Sequence, residues 1–441
     1  MDHRRAFIVV DLGFGDAGKG IVTDALVRES GARAVVRFNG GAQAGHNVVT
    51  PGGRHHTFSQ LGAGSFVAGV RTHLSRFVVV HPTALAIEAA RLEARGVPDP
   101  LARVTIAAGA YVTTPFHQAA CRIKELARGD ARHGSCGVGV GEVMQDALDG
   151  HVVRVGDLAD AKLSAKLEAI RERKRVELED ALRALPPSDA ADRERRVFED
   201  PGAGAAWIER VRAILSRLAI VDDEPAMRAM LREGPVVFEG AQGVLLDEWR
   251  GFHPHTTWST CTPDNARALI DDARMDGLEV TTLGVLRTYA TRHGAGPFPT
   301  EEPALAARLP DPYNVEGPWQ GALRVGWLDG ILLRYALAVS GTIDALALTH
   351  LDALDALGTW RMARAYEAMD SLSPGPFQDL EHQAALTRAL FAARPLYDEL
   401  RDPSPERVID ALERALGLPV RITSAGPRAS DVAFRVSVRE E

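Results

Sequence analysis

The sequence predicts an α/β fold with a mainly parallel central sheet flanked by helices. Three observations carry that prediction. Short β-type apolar runs recur along the 441 residues, separated by helical patterns. Most of these runs are bounded by Gly, Pro or His. The first of them leads directly into a glycine-rich turn and then a helical pattern, a P-loop-like beginning.

Taken in order, Ala6–Val10 reads as a buried strand, and the helical pattern after the turn starts at about Ile21. Further strands are expected at Ala34–Phe38, Arg76–Val80, Val104–Ile106, Val236–Phe238, Val280–Leu286 and Ala345–Leu348. Lys162–Arg183 is rich in Ala, Leu, Glu, Lys and Arg and reads as a largely exposed helix. Pro186-Pro187-Ser188-Asp189 breaks it. Residues 159–230 are expected to form a helical insertion packed on the main sheet, inside a single domain spanning 1–441. Arg421–Pro427 reads as a strand followed by a turn.

Composition narrows the function classes. The chain is 46% apolar and 25% charged, as soluble globular proteins are. A net charge of -8 argues against nucleic-acid binding through a basic surface. Cys121, Cys136 and Cys261 are too widely spaced for a disulfide framework or a zinc pattern, which points to a reducing compartment. The apolar run after Met1-Asp2-His3-Arg4-Arg5 is too short for a signal peptide, and no stretch approaches membrane-spanning length. The expected location is the cytoplasm, with no nucleic-acid or membrane partner.

Gly13-Phe14-Gly15-Asp16-Ala17-Gly18-Lys19-Gly20 lies between strand and helix. Such a turn cradles phosphate, because glycines let backbone N–H groups approach an anion at a positive helix N-terminus. Gly13 and Gly18 have P-loop spacing before Lys19, but Gly20 replaces the hydroxyl residue and Asp16 sits within the loop.

A collinear set of motifs resembles the adenylosuccinate synthetase family over most of the chain. It comprises Gly15–Gly20, Val36–Gly41 with Ala44-Gly45-His46, Pro115-Phe116-His117, Gly134–Gly141 and Arg154–Leu158. It continues with Phe238-Glu239-Gly240-Ala241-Gln242-Gly243, Leu245-Leu246-Asp247, Thr291-Arg292 and Gly294–Glu301. Gly326-Trp327-Leu328-Asp329, Leu351-Asp352 and Ser424-Ala425-Gly426-Pro427 complete it. The resemblance implies a Mg²⁺-dependent homodimeric ligase. GTP would phosphorylate the 6-oxygen of IMP, and L-aspartate would then displace phosphate to give adenylosuccinate.

Residue roles follow from the same resemblance. Asp16 matches the base that takes the purine N1 proton, and with the Gly45 carbonyl it would hold Mg²⁺. His46 matches the general acid, and Lys19 would neutralise the transferring phosphate. Gln242 would bond the activated purine edge, and Gly15, Gly18 and Gly20 would cradle phosphate. Gln43, Cys136, Thr257 and Arg324 would contact the nucleotide or amino-acid substrate. Asp352 would read guanine N1–H and N2–H₂, with Ser424, Gly426 and Pro427 packed around the base.

The chain departs from the family pattern in the substrate sites. Ala17 and Ile21 replace a glutamate and a lysine, and Gln43 replaces an asparagine. Ser135-Cys136 replaces Thr-Thr, and Val138 replaces an arginine. Gly150-His151 stands where a basic pair would reach across the dimer to the substrate phosphate. Ala322 stands where an arginine would hold the aspartate carboxylates, while Trp319 makes that loop bulkier. His350 replaces a lysine next to the guanine-reading acid. Adenylosuccinate synthesis is therefore the default expectation. A paralogous ligase with another purine-like nucleotide or amine donor is the first alternative. A nucleotide-binding regulator without catalysis is the second.

Overall fold

The computed structural model describes residues 4–129, 134–185, 187–309, 311, 319, 321 and 323–435. Pro186 and Ala322 lie outside the described residues.

Among the described residues, ten strands form the central sheet: β1 (Arg5–Asp11), β2 (Ala34–Arg37), β3 (Arg71–Leu74), β4 (Val104–Ala107), β5 (Ala219–Val221), β6 (Val236–Glu239), β7 (Glu279–Arg287), β8 (Ala345–Thr349), β9 (Val420–Ser424) and β10 (Val432–Phe434). Their order is β10-β9-β8-β7-β1-β6-β2-β3-β4-β5. All neighbours pair parallel except β10, which runs antiparallel along β9. The mainly parallel α/β prediction holds.

Strand residues alternate between two apolar layers, as a period of two requires. Ile8, Val10, Val36 and Phe238 join one buried cluster. Val9, Val35 and Val237 join the other, against Val22 and Leu26 of helix α1 (Lys19–Ser30). The sheet is thus covered on both faces, which is why its strands read as continuous apolar runs.

Two elements differ from the sequence expectation. The strand expected at Arg76–Val80 is displaced, because Arg71–Leu74 occupies the sheet. Ser75 starts a turn, Val78 N–H donating to its carbonyl at 3.0 Å, and only Val79–Val80 is extended, beside Tyr111–Val112. Residues 159–230 are helical over Leu163–Glu177, Glu179–Ala184, Asp189–Glu199 and Ala203–Leu215, but they also supply the edge strand β5.

Loops at the carboxyl ends of β1, β2, β6, β7, β8 and β9 converge on one edge of the sheet, where open α/β folds bind ligands. Two antiparallel pairs close that edge: His46–Val49 with His55–Phe58, and Ala290–His293 with Leu323–Gly326.

Candidate active site

A cleft of about 920 Å³ opens at this edge. It gathers Gly15, Asp16, Gly18, Lys19, Gly20, Gln43, Gly45, His46, Cys136, Gln242, Thr257, Asp352, Ser424, Gly426 and Pro427. These come from seven separate stretches of sequence, so the fold brings together almost every residue singled out above.

The loop after β1 is fixed from its own start. Buried Asp11 accepts the Gly13 and Ala17 N–H groups, each at 2.9 Å, and the Lys19 ammonium at 2.9 Å. This holds the loop open as a cradle and places Lys19 beneath it. Gly20, where a P-loop has a hydroxyl residue, has a steric reason. A Cβ there would lie 2.8 Å from the Asn47 carbonyl and 3.0 Å from the His46 Cβ. The His46 strand crosses directly over the start of α1, and only glycine admits it.

Asp16 has a left-handed backbone, φ 60°, and its carboxylate meets His293 Nε2 at 3.0 Å. Its carbonyl accepts from Arg287 Nε. Burial alone would raise this carboxyl. The His293 hydrogen bond and charge, with Arg287 and Lys19, hold it below the ordinary aspartate value. A carboxylate kept ionised in a cleft suits both proton acceptance and a hard cation.

His46 donates or shares a proton through Nδ1 with Glu239 Oε1 at 2.6 Å. Glu239 ends β6, fully buried, and also accepts the Ala63 N–H at 3.0 Å. Burial lowers the His46 pKa, and the Glu239 charge opposes that shift. The contact leaves Nε2 as the ring nitrogen available to the cleft.

Gln242 follows β6 with φ 56° and lines the cleft, its Oε1 buried without a hydrogen-bond partner. Both amide atoms of Gln43 are likewise buried and unpartnered. Buried amides need partners, so two carboxamides stand ready for a ligand that presents donors and acceptors, as a purine edge does.

At the other end, the Leu351 N–H donates to the Ser424 carbonyl at 3.0 Å, tying the β8 and β9 loops together. Ser424 Oγ donates to the Gly426 carbonyl at 2.8 Å. Asp352 is exposed on this wall. Beside it, His350 packs edge-on against Tyr289 and bonds Thr349 Oγ1 at 2.8 Å. Burial, with Arg287 nearby, holds it well below the ordinary histidine value, so it is neutral where the family pattern has a cation.

Cys136 is a neutral wall group, its thiol pushed up to about 11 by burial. Thr257 lines the same side, its N–H donating to the Leu246 carbonyl at 2.8 Å. Arg324 is not among the described residues that line the cleft. It pairs across the strands with Arg292, and its guanidinium is taken up by Glu301 and by the Gly294 and Gly296 carbonyls at 3.2 and 3.0 Å. His151 is exposed and also lies outside the cleft lining.

Four participants were not assigned these roles from sequence: Asp11, Glu239, Arg287 and His293. An acid ending an apolar strand just before a glycine loop was the available signal for Asp11. Glu239 sat in a quoted motif, but its partner is 193 positions away.

Comparison with known proteins identifies the family. The family model described as adenylosuccinate synthetase matches residues 8–433. The adenylosuccinate synthetase of Myxococcus xanthus is 33% identical over 438 residues, covering 95% of this chain and 96% of that protein. That of Mycobacterium tuberculosis is 31% identical over 464 residues and covers 99% of both. A fully ligated adenylosuccinate synthetase structure from Plasmodium falciparum superposes with a TM-score of 0.73 at 23% identity, covering 98% of this chain and 99% of that one. A cyanophage S-2L succinoaminodeoxyadenylate synthetase bound to dGMP and dATP gives 0.61 at 17%, covering 98% and 96%. At those identities the two structures speak for the fold alone. The match over nearly the whole chain, in sequence and in motif order, makes this protein a member of the adenylosuccinate synthetase family.

Proposed function

We propose that the chain joins L-aspartate to IMP with hydrolysis of GTP, giving adenylosuccinate, GDP and phosphate. The observation that carries this reading is the meeting, in one cleft, of an ionised Asp16, the His46–Glu239 pair, the unpartnered Gln43 amide and the unpartnered Gln242 Oε1.

Asp16 takes the N1 proton of the purine, and the electron pair moves to the 6-oxygen. That oxygen attacks the γ-phosphorus of GTP while the bond to the bridging oxygen breaks and GDP leaves. Lys19, and His46 acting as the general acid, counter the charge on the transferring group. The aspartate α-amine then attacks C6 and loses one proton, leaving a secondary amine, and phosphate departs with the C6–O electron pair. Gln242 and Gln43 hold the purine edge, and Asp352 with the Ser424–Pro427 turn holds the guanine.

Mg²⁺ is part of this reading. Among the described residues there is no cluster of three or more His, Cys, Asp or Glu able to hold a metal. The donors present fit a hard cation that takes most of its ligands from phosphate and water, with Asp16 and the Gly45 carbonyl as the protein's share. When bound it neutralises phosphate charge. A homodimer also belongs to the reading, with exposed His151 facing the second copy; sedimentation tests it.

A second reading keeps the chemistry and changes the amine donor or nucleotide. It is favoured by Val138 on the cleft wall where the family pattern has an arginine, and by Arg324 being bound to Glu301. The test of the chemistry common to both is Asp16→Asn. Turnover should fall by about two orders of magnitude or more, while nucleotide binding by calorimetry survives. Near-normal turnover overturns the base assignment.

A further inference from the structure

We propose that Glu88 is a positioning residue for His46, acting through the backbone of residues 59–63 and Glu239. This rests on the reading of His46 given above.

Glu88 lies on the helix Pro82–Glu93, outside the motifs that line the cleft, and is buried. Its carboxylate accepts three consecutive backbone N–H groups: Ser59 at 2.8 Å, Gln60 at 2.8 Å and Leu61 at 3.1 Å. The next N–H, of Gly62, goes to Thr72 Oγ1 at 3.0 Å. The next, of Ala63, goes to Glu239 Oε2 at 3.0 Å. Five successive amides are therefore satisfied by side chains instead of by a helix or sheet ladder. The position of this stretch depends on those acceptors.

The stretch is also pressed inward. A Cβ on Gly62 would lie 2.6 Å from Val35 Cβ, so the backbone lies flat on β2. Arg37 of β2 donates to the Leu61 carbonyl at 3.4 Å and stands 3.9 Å from Glu239 Oε2. The Gln60 amide is locked to the His81 backbone, which caps the Glu88 helix, by bonds of 3.1 and 2.8 Å. Just before the stretch, Phe58 pairs with His46 across the hairpin. Residues 58–63 therefore hold His46 from two sides: by strand pairing, and through the Ala63 N–H that orients the carboxylate on its ring. Glu88 fixes the middle of that span.

The account predicts that Glu88→Gln, which keeps the shape but offers one acceptor oxygen, lowers kcat at least tenfold. KM for both nucleotides should stay within about threefold, since binding groups are untouched. The His46 Nδ1–H, followed by NMR on the free protein, should exchange with solvent at least tenfold faster. Because Glu88 acts through Glu239, the double variant Glu88→Gln/Glu239→Gln should be within about twofold of Glu239→Gln alone. Thr72→Val, which removes the acceptor of the Gly62 N–H, should give a smaller fall in kcat with the same unchanged KM. It decides the matter should Glu88→Gln fail to fold by circular dichroism.

Wild-type kcat and wild-type Nδ1–H exchange in Glu88→Gln, or in Thr72→Val if the first variant is unfolded, overturn the proposal. So does a double variant whose losses multiply. The exchange measurement needs no substrate, so it judges the positioning role even if the wild-type protein proves inactive on IMP and aspartate, which would overturn the functional reading instead.

Discussion

Glu239→Gln is the sharpest perturbation of the catalytic geometry. The substitution keeps volume and removes one charge at a site with no solvent exposure. The carboxylate serves His46 Nδ1 through Oε1 and the Ala63 N–H through Oε2, with Arg37 at 3.9 Å. An amide has one acceptor oxygen, so one of those donors must face an NH₂ group. If it is His46, the ring loses a hydrogen bond to a charged group, worth about 1.5–3 kcal/mol. At about 1.4 kcal/mol per factor of ten, kcat should drop about tenfold to a hundredfold. KM for GTP and for the purine nucleotide should move by less than about threefold, because neither is held by Glu239. The assay is steady-state phosphate release at saturating substrates, with chemical denaturation run in parallel to establish that the variant is folded. Unchanged kcat, or a raised KM with kcat intact, refutes the claim that Glu239 sets the working orientation of His46.

Three further outcomes follow from the same geometry. Asp352→Asn should cut kcat/KM for GTP relative to ATP by about tenfold or more, as loss of charged hydrogen bonds to a base edge requires; a competition assay reads it, and an unmoved preference removes the guanine assignment. Gly20→Ala should lower turnover sharply while the protein stays folded by circular dichroism, because its methyl would meet the Asn47 carbonyl at 2.8 Å and displace the His46 strand. Asp146→Asn should destabilise the fold by about 1.5–3 kcal/mol at neutral pH, since it takes from buried His117 its carboxylate partner at 3.1 Å and from buried Lys174 one of three, at 2.8 Å, with Glu142 and Glu177 remaining. Burial opposes the shift, but the His117 and Lys174 contacts hold Asp146 down at about 2, below the ordinary aspartate value. Its stabilisation is therefore present above about pH 4 and lost as pH falls toward 2, and urea titrations across that range should show the loss in the wild type and a flatter profile in the variant.

Much of this molecule is legible in its sequence, for physical reasons. Continuous apolar runs such as Ala6–Val10 and Ala345–Leu348 mark strands buried on both faces, and they fall within β1 and β8. Glycine-rich turns mark the loop after β1 because residues other than glycine seldom adopt those angles, φ 100° at Gly15 and 93° at Gly18. What failed to show is whatever depends on distant partners. Arg71-Thr72-His73-Leu74 looks too polar for a central strand, yet His73 is satisfied there by Asp223 and Thr105, each at 2.8 Å. Ala219–Val221 is too short and too exposed to stand out from the helices around it. Arg324 suggested an anion ligand, but Glu301 and two carbonyls occupy its guanidinium. Glu239 and His293 acquire their meaning only when the fold sets them beside His46 and Asp16.

The most direct test of the central claim is phosphate release by the purified protein with Mg²⁺, GTP and IMP, with and without L-aspartate, with the product identified by mass. The account predicts release that depends on aspartate, with adenylosuccinate formed in equal amount. Intact GTP binding with no aspartate-dependent turnover would contradict it and point to another substrate pair in the same cleft.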